Sequence, residues 1–179
     1  MLDPNELLRV ACEDRAFFSN GQKLTRERWV VDQWLLACGL VGSAVQPGGD
    51  PPDFLVDGRG IEVVELMEPN RRRGDQYNAR LQAAHAGHTL PRKLSPRSRV
   101  VEQGHEWVLG AIRRKAARYD ASSSAAWTLL LYVNLPYADC LSWGQVEATL
   151  DAQAPRFNRV EVVFDVGRGP TAGKVYVHG

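Results

Sequence analysis

The stretch PPDFLVDGRGIEVVEL, residues 51–66, decides the fold predicted for this chain. Two runs rich in apolar and β-branched residues flank Asp57-Gly58, a dipeptide that favours the two-residue turn of a β-hairpin. The sequence therefore predicts antiparallel strands over 53–57 and 60–67. Each strand carries one carboxylate that draws attention, Asp53 on the first and Glu62 on the second.

The two carboxylates are predicted to meet on one face of the hairpin. With a turn at 57–58, Asp53 lies directly opposite Glu62, and with a turn at 58–59 it lies diagonal to Glu62. Because strand side chains alternate between faces, both registers put the carboxylates together, with Cβ atoms about 5 to 8 Å apart. A divalent cation that prefers oxygen ligands, Mg²⁺ or Mn²⁺, would relieve their repulsion. The alternative is the solvent-facing side of an edge hairpin, where two acids need no metal.

Composition bounds the class of protein. A chain of 179 residues is long enough for one domain with a sizeable core, and its apolar and charged fractions are those of a soluble globular protein. Its apolar runs are all shorter than a membrane span, so no membrane association is expected. The three cysteines lie far apart without a CxxC pair, which suits a reducing cytoplasm.

Charge is distributed unevenly although the net charge is only +1. Residues 69–119 hold twelve lysines and arginines against three acidic residues, a local charge of +9, and the rest of the chain carries −8. Such a segment attracts phosphates, so nucleic acid is the expected partner. The predicted contact residues are Arg71, Arg72 and Arg73, directly after the second hairpin strand, with Arg92 and Lys93. The alternative is a solvated basic loop.

The order of predicted elements is that of an α/β protein built around a mixed sheet. Asp57-Gly58 sits between the hairpin strands, and WTLLLYVNL has the continuous apolar character of a central strand. The predicted elements are helices at 4–18 and 25–38, a short strand within 40–46, the hairpin, a long basic loop at 69–98 with a helical turn at 75–86, a helix at 100–119, a strand at 127–135, a helix at 142–152, and strands at 159–167 and 173–179.

On Pro52-Asp53, the hairpin and Glu62, together with the flanking helix order, the sequence resembles the PD-(D/E)XK nuclease superfamily. The resemblance implies a restriction-endonuclease-like mixed central sheet flanked by helices. It covers 25–135, with 1–24 as an N-terminal helical extension and 136–179 as a C-terminal helix and strands of the same single domain. It also implies that Asp53 and Glu62 bind metal. The family's lysine, two residues after the glutamate, is replaced by Val64, and Glu27 matches a glutamate that some members carry on the first core helix.

Lys115 is the candidate replacement for the missing lysine. On the predicted helix 100–119 it lies about 40° from the centre of an apolar stripe. In a fold of this family that helix packs on the sheet beside the hairpin, so the ammonium could approach Asp53 and Glu62. The alternative is a lysine that snorkels to the surface. The stripe consists of Val101, Val108, Ile112 and Tyr119.

Three hypotheses follow. The first is a Mg²⁺- or Mn²⁺-dependent nucleic-acid phosphodiesterase with Asp53, Glu62 and Lys115 as catalytic residues. The second is an inactive nuclease-like fold that serves as a nucleic-acid- or protein-binding accessory module. The third is an unrelated α/β domain. The sequence has no Walker, GxGxxG, GxSxG or HExxH motif, and it leaves open whether the chain forms a homodimer.

Overall fold

The structure, a computed structural model, describes residues 3–17, 19–70, 73–88, 97–135, 137–153, 157–164 and 174–178. Contacts divide the chain into two units, one formed by 1–26 with 70–94 and the other by 27–69 with 95–179. The predicted single domain stays a prediction. None of the helices in the described ranges is long and apolar enough to cross a membrane.

The smaller unit is built on two helices, α1 (Pro4–Phe17) and α3 (Arg73–His85), which pack against each other. Between them, Arg15 Nε donates a hydrogen bond to Asn78 Oδ1 at 2.9 Å, and Arg80 pairs with the buried Asp14 at 3.4 Å. A 3₁₀ turn at Asn20–Gln22 leads into α2 (Lys23–Ala37), and the boundary between the units falls within that helix.

A six-stranded mixed sheet forms the centre of the larger unit, with its strands adjacent in chain order. The first three strands are antiparallel neighbours, the third, fourth and fifth run parallel, and the sixth returns antiparallel as an edge. Helix α4 connects the third and fourth strands, as a parallel crossover requires. The strands are β1 (Val45–Pro47), β2 (Phe54–Val56), β3 (Arg59–Leu66), β4 (Trp127–Val133), β5 (Arg159–Phe164) and β6 (Lys174–His178).

Helices cover both faces of the sheet, which confirms the predicted α/β class. On one face α2 packs Val31 and Trp34 against side chains of the sheet that include Phe54 and Ile61. The other face lies under α4 and α6, and its core includes Val108, Leu129 and Val146. β4 is buried on both sides, as its unbroken apolar run predicts. The helices of the larger unit after α2 are α4 (Arg97–Ala116), α5 (Ala121–Ser124) and α6 (Trp143–Gln153), with a 3₁₀ turn at Ala138–Cys140.

Several predicted boundaries were wrong. α3 is a helix of 13 residues where a basic loop with one helical turn was expected. α2 begins at Lys23, two residues earlier than predicted, and β1, expected within 40–46, spans Val45–Pro47. α4 begins at Arg97 and ends at Ala116, three residues early at each end. Consequently Val100 is buried, and Val101, predicted for the core, is 39% exposed.

Candidate active site

The hairpin turn fixes the register on which the site depends. Asp57 and Gly58 both have positive φ values, 48° and 79°, the geometry of a two-residue hairpin turn of the kind that Asp-Gly favours. Val56 pairs with Arg59, so the turn occupies 57–58 and not 58–59. The Asp57 carboxylate also accepts a hydrogen bond from the Ala44 amide at 2.9 Å, which ties the turn to the segment before β1. The first of the two predicted registers is therefore the one observed.

A tight loop before β2 places Asp53. The Gly48 amide donates to the Asp53 carbonyl at 2.9 Å, and the Asp50 amide donates to the Pro52 carbonyl at 3.2 Å. A Cβ atom at Gly48 would lie 2.0 Å from the Pro52 carbonyl oxygen, so the backbone can close in this way only with glycine. The loop thus holds the Asp53 backbone rigidly at the entry of the strand.

Asp53 and Glu62 lie opposite each other in the hairpin, and each carboxylate accepts a hydrogen bond from a backbone amide on the opposite side of the hairpin. The Asp53 amide donates to Glu62 Oε2 at 3.2 Å, and the Val63 amide donates to Asp53 Oδ2 at 2.8 Å. Both residues are buried, at 6% and 1% exposure. Burial of two carboxylates is costly unless hydrogen bonds and a cation compensate it, so this pair differs from the two acids of a solvated edge hairpin.

Lys115 supplies a compensating cation. Its Nζ lies 2.5 Å from Glu62 Oε1, and its side chain is only 12% exposed. Lys115 lies in the last turn of α4. This helix packs on the face of the sheet to which the Val64 side chain also belongs. The alternative of a lysine that snorkels into solvent does not describe this geometry.

Tyr119 completes the set of contacts around Glu62. Its hydroxyl donates to the same Oε1 atom at 2.6 Å, and the Lys115 ammonium lies 5.7 Å from the centre of its ring. Burial and the hydrogen bond to Glu62 raise the pKa of Tyr119 far above its ordinary value. The charges of Glu62 and Asp53 act in the same direction, and only the nearby Arg118 opposes them. Tyr119 is therefore a neutral hydrogen-bond donor throughout the physiological pH range.

The hydroxyl of Tyr119 was not recognised from the sequence as part of the site, because the residue was assigned to the apolar stripe. A signal was present: Tyr119 follows Lys115 by four residues, a spacing that puts two helical side chains beside each other. A tyrosine next to a lysine at the border of a buried face has a polar tip that needs a partner.

The carboxylate oxygens of Asp53 and Glu62 suit a hard cation that needs few protein ligands. Glu62 Oε2 accepts one hydrogen bond, from Asp53, and an oxygen of a carboxylate has a second lone pair. In the described ranges, no three residues among His, Cys, Asp and Glu cluster closely enough to enclose a metal. Mg²⁺ commonly binds through one or two carboxylates together with water and substrate phosphates, so a third protein ligand is not required.

Glu27, the predicted first-helix carboxylate, does not join this group. Glu27 lies on α2, which packs on the opposite face of the sheet. Arg73 is the first residue of α3 in the smaller unit. The remaining predicted nucleic-acid contacts lie outside the described residues; they are Arg71, Arg72, Arg92 and Lys93.

Comparison with known proteins agrees with a nuclease-like chain. Residues 5–146 match the family model described as "Putative endonuclease, protein of unknown function (DUF1780)". Curated proteins provide no match. A solved structure from Pseudomonas aeruginosa strain PAO1, of a protein of unknown function described as a member of the monooxygenase superfamily, aligns with a TM-score of 0.50 and 22% identity over 99% of this chain and 87% of that one. At this identity the likeness concerns the fold alone.

Proposed function

The chain belongs to the DUF1780 family, and on that premise we propose that it is a Mg²⁺- or Mn²⁺-dependent nuclease of the PD-(D/E)XK type in which Lys115 takes the place of the motif lysine. One observation carries the proposal: the contact of 2.5 Å between Lys115 Nζ and Glu62 Oε1, on the face where Asp53 also lies. The same ammonium lies 5.7 Å from the centre of the Tyr119 ring, so Lys115 belongs to the group of residues around Glu62.

Asp53 and Glu62 are the proposed metal ligands, with Oε2 of Glu62 as the oxygen that retains capacity. A bound Mg²⁺ or Mn²⁺ supplies Lewis-acid charge neutralisation at a phosphodiester and makes nearby water more acidic. Asp53 is held for this task by the Val63 amide, and Glu62 by three donors. Both carboxylates are therefore fixed before any substrate arrives, which lowers the reorganisation that catalysis would otherwise require.

Lys115 is proposed to act on the substrate side of the pair. An ammonium has three N–H donors, and the bond to Glu62 uses one of them. The others are available to hold a phosphate oxygen and the attacking water, and the positive charge opposes the negative charge that develops in the transition state. Tyr119 is proposed as a positioning residue, because it contacts Glu62 and keeps Oε1 directed at the ammonium.

A specific observation favours a second candidate, the catalytically inactive binding module. Val64 stands at the position of the motif lysine and packs against the apolar core. In addition, the Lys115 ammonium compensates the charge of Glu62, and the Tyr119 hydroxyl donates a hydrogen bond to the same oxygen. A former nuclease that retained its fold for binding nucleic acid or protein would keep such a self-contained pair.

Cleavage assays on three variants test the proposal. Labelled single-stranded DNA, duplex DNA and RNA are incubated with Mg²⁺, Mn²⁺ or EDTA. The wild type is expected to cleave at least one of them with metal only, and both Asp53→Asn and Lys115→Met should lose at least about 100-fold in rate. Asn at 53 still accepts the Val63 amide, so folding is preserved. Arg113→Met, which removes an exposed cation from the same helix, is the matched control and should remain active.

The outcomes separate the two candidates. Undiminished cleavage by Asp53→Asn would place the chemistry elsewhere and overturn the proposed site. Tight binding of nucleic acid without cleavage in either metal would establish the inactive module.

A further inference from the structure

Positive charge is concentrated at one end of α4. Residues 97–106 carry two arginines and two glutamates, and so are neutral. Residues 107–119 carry Arg113, Arg114, Lys115 and Arg118 and no acidic residue. Lys115 lies in the last turn of α4, and Tyr119 follows the end of the helix by three residues. Both site residues are therefore part of this positively charged segment.

Two of these arginines are exposed and unengaged within the described residues. Neither Arg114 nor Arg118 makes a side-chain hydrogen bond or ion pair there, whereas Lys115 is bound to Glu62. Arg114 extends back along the helix, since a Cβ at Gly110 would lie 3.2 Å from its Nη1 atom. Two exposed guanidinium groups without a hydrogen bond or ion pair to the described residues thus belong to the same chain segment as Lys115.

Their position relative to Lys115 is set by the helix. The Arg118 amide donates to the Lys115 carbonyl at 3.1 Å, which places Arg118 in the turn that directly follows Lys115. Arg118 is also close enough for its charge to act on the Tyr119 hydroxyl. Arg114 lies about 100° around the helix from Lys115, and Arg113 about 160°, on the side that faces away from it. Continued at 100° per residue into the turn after α4, Arg118 lies about 60° from Lys115 on the same side as Arg114, so these two arginines are nearer to Lys115 than Arg113 is.

We propose that Arg114 and Arg118 form a phosphate-binding ridge that holds the sugar-phosphate backbone of a nucleic-acid strand next to the Asp53, Glu62 and Lys115 group. This inference rests on the proposed function, because it names the part of the surface that presents the substrate to that site. Guanidinium groups bind phosphate oxygens in bidentate fashion, and such contacts are strong, salt-sensitive and independent of base sequence. Arg118 lies in the turn after α4, four residues beyond Arg114, and at the helical rise of about 1.5 Å per residue the two positions are about 6 Å apart, so each arginine can take a different phosphate.

The test compares two double variants that each remove two positive charges from α4 and the turn that follows it. Arg114→Gln/Arg118→Gln removes the ridge, and Arg97→Gln/Arg113→Gln is the control. Binding of fluorescein-labelled single-stranded and duplex oligonucleotides is followed by anisotropy over a range of salt concentrations, in EDTA so that nothing is cleaved. Circular dichroism and thermal unfolding establish that both variants fold.

The ridge variant is expected to bind about ten- to a hundredfold more weakly than wild type, and the slope of log affinity against log salt should shrink by about 1.5 to 2. The control should shift the affinity less than about threefold, and oligonucleotides of different base sequence should lose affinity for the ridge variant alike. With metal, the ridge variant should raise KM and leave kcat within about threefold, since the arginines hold substrate and take no part in the chemistry.

The outcomes distinguish this inference from the proposed function. If the wild type cleaves and the two double variants behave alike, the ridge is refuted and the nuclease assignment stands. If the ridge variant alone loses binding but no form of the protein cleaves, the surface is supported and the nuclease assignment fails. If the wild type binds no nucleic acid, the ridge is refuted.

Discussion

Replacement of Lys115 by Met should destabilise the protein far more than loss of a surface charge. Glu62 is 1% exposed, and among the described residues the variant leaves its carboxylate with only the Tyr119 hydroxyl and the Asp53 amide as donors. Removing one partner of a buried ion pair costs about 3 to 5 kcal/mol. The two remaining donors offset part of this, so we expect a loss of about 3 kcal/mol in the free energy of unfolding.

A second substitution shows whether the loss comes from a stranded charge. In Lys115→Met/Glu62→Gln the orphan carboxylate is gone, and the total loss should fall to about 1 kcal/mol, about 2 kcal/mol less than for Lys115→Met alone. Arg113→Met, the surface control on the same helix, should cost less than about 1 kcal/mol.

Urea unfolding followed by tryptophan fluorescence measures these differences, since the chain has five tryptophans. If Lys115→Met unfolds within about 0.5 kcal/mol of wild type, the ammonium does not compensate a buried carboxylate. The reasoning on which the site is built would then be refuted, whatever the protein's activity.

Three further predictions concern neighbouring positions. Burial and the hydrogen bond to the buried Glu62 carboxylate raise the pKa of Tyr119, so the Tyr119 hydroxyl keeps its proton in the folded state at a pH where it ionises in the unfolded chain. The free energy of unfolding of the wild type should therefore fall as the pH rises above about 10. Between about pH 9 and pH 11, Tyr119→Phe should lose less free energy of unfolding than the wild type, as measured by urea unfolding. Equal losses in the two proteins would contradict a raised pKa of Tyr119. The double variant Val64→Lys/Lys115→Met should cleave at least about tenfold faster than Lys115→Met alone, because residue 64 lies on the same face of the sheet as the site. An unchanged cleavage rate in a folded double variant would argue against that placement. Gly60→Ala puts a Cβ 2.5 Å from Trp127 Cδ1 and should lower the free energy of unfolding by about 1 to 3 kcal/mol, whereas an unchanged urea midpoint would show that the indole moves aside freely.

The hairpin was predictable because its determinants are local. Asp57-Gly58 specifies the turn, and alternation along two short strands then decides which residues share a face. The buried central strand was predictable for a similar reason, since WTLLLYV leaves no polar face to expose to water. Local signals thus located the Asp53 and Glu62 pair and the register that joins them.

Helix ends and distant contacts were harder to predict. α3 is poor in large apolar residues, so its periodicity was too weak to reveal a helix of 13 residues. The buried position of Val100 in place of Val101 depends on how α4 lies on the sheet, which periodicity alone does not determine. Lys115 was found because a cation at the border of an apolar stripe is unusual, whereas the Tyr119 hydroxyl was hidden by a residue type that also fits a core.

Manganese binding tests the central claim most directly, because it needs no choice of substrate. Isothermal titration calorimetry of Mn²⁺ into the wild type should show one site per chain, and Asp53→Asn should abolish it, while Arg113→Met should leave it unchanged. The titration is repeated with a short uncleavable oligonucleotide present, since substrate phosphates can complete a metal's ligand set. Binding by wild type that Asp53→Asn removes, with or without the oligonucleotide, is the predicted result. Absence of heat at millimolar metal in both titrations, or binding that Asp53→Asn leaves intact, would contradict a metal site at Asp53 and Glu62.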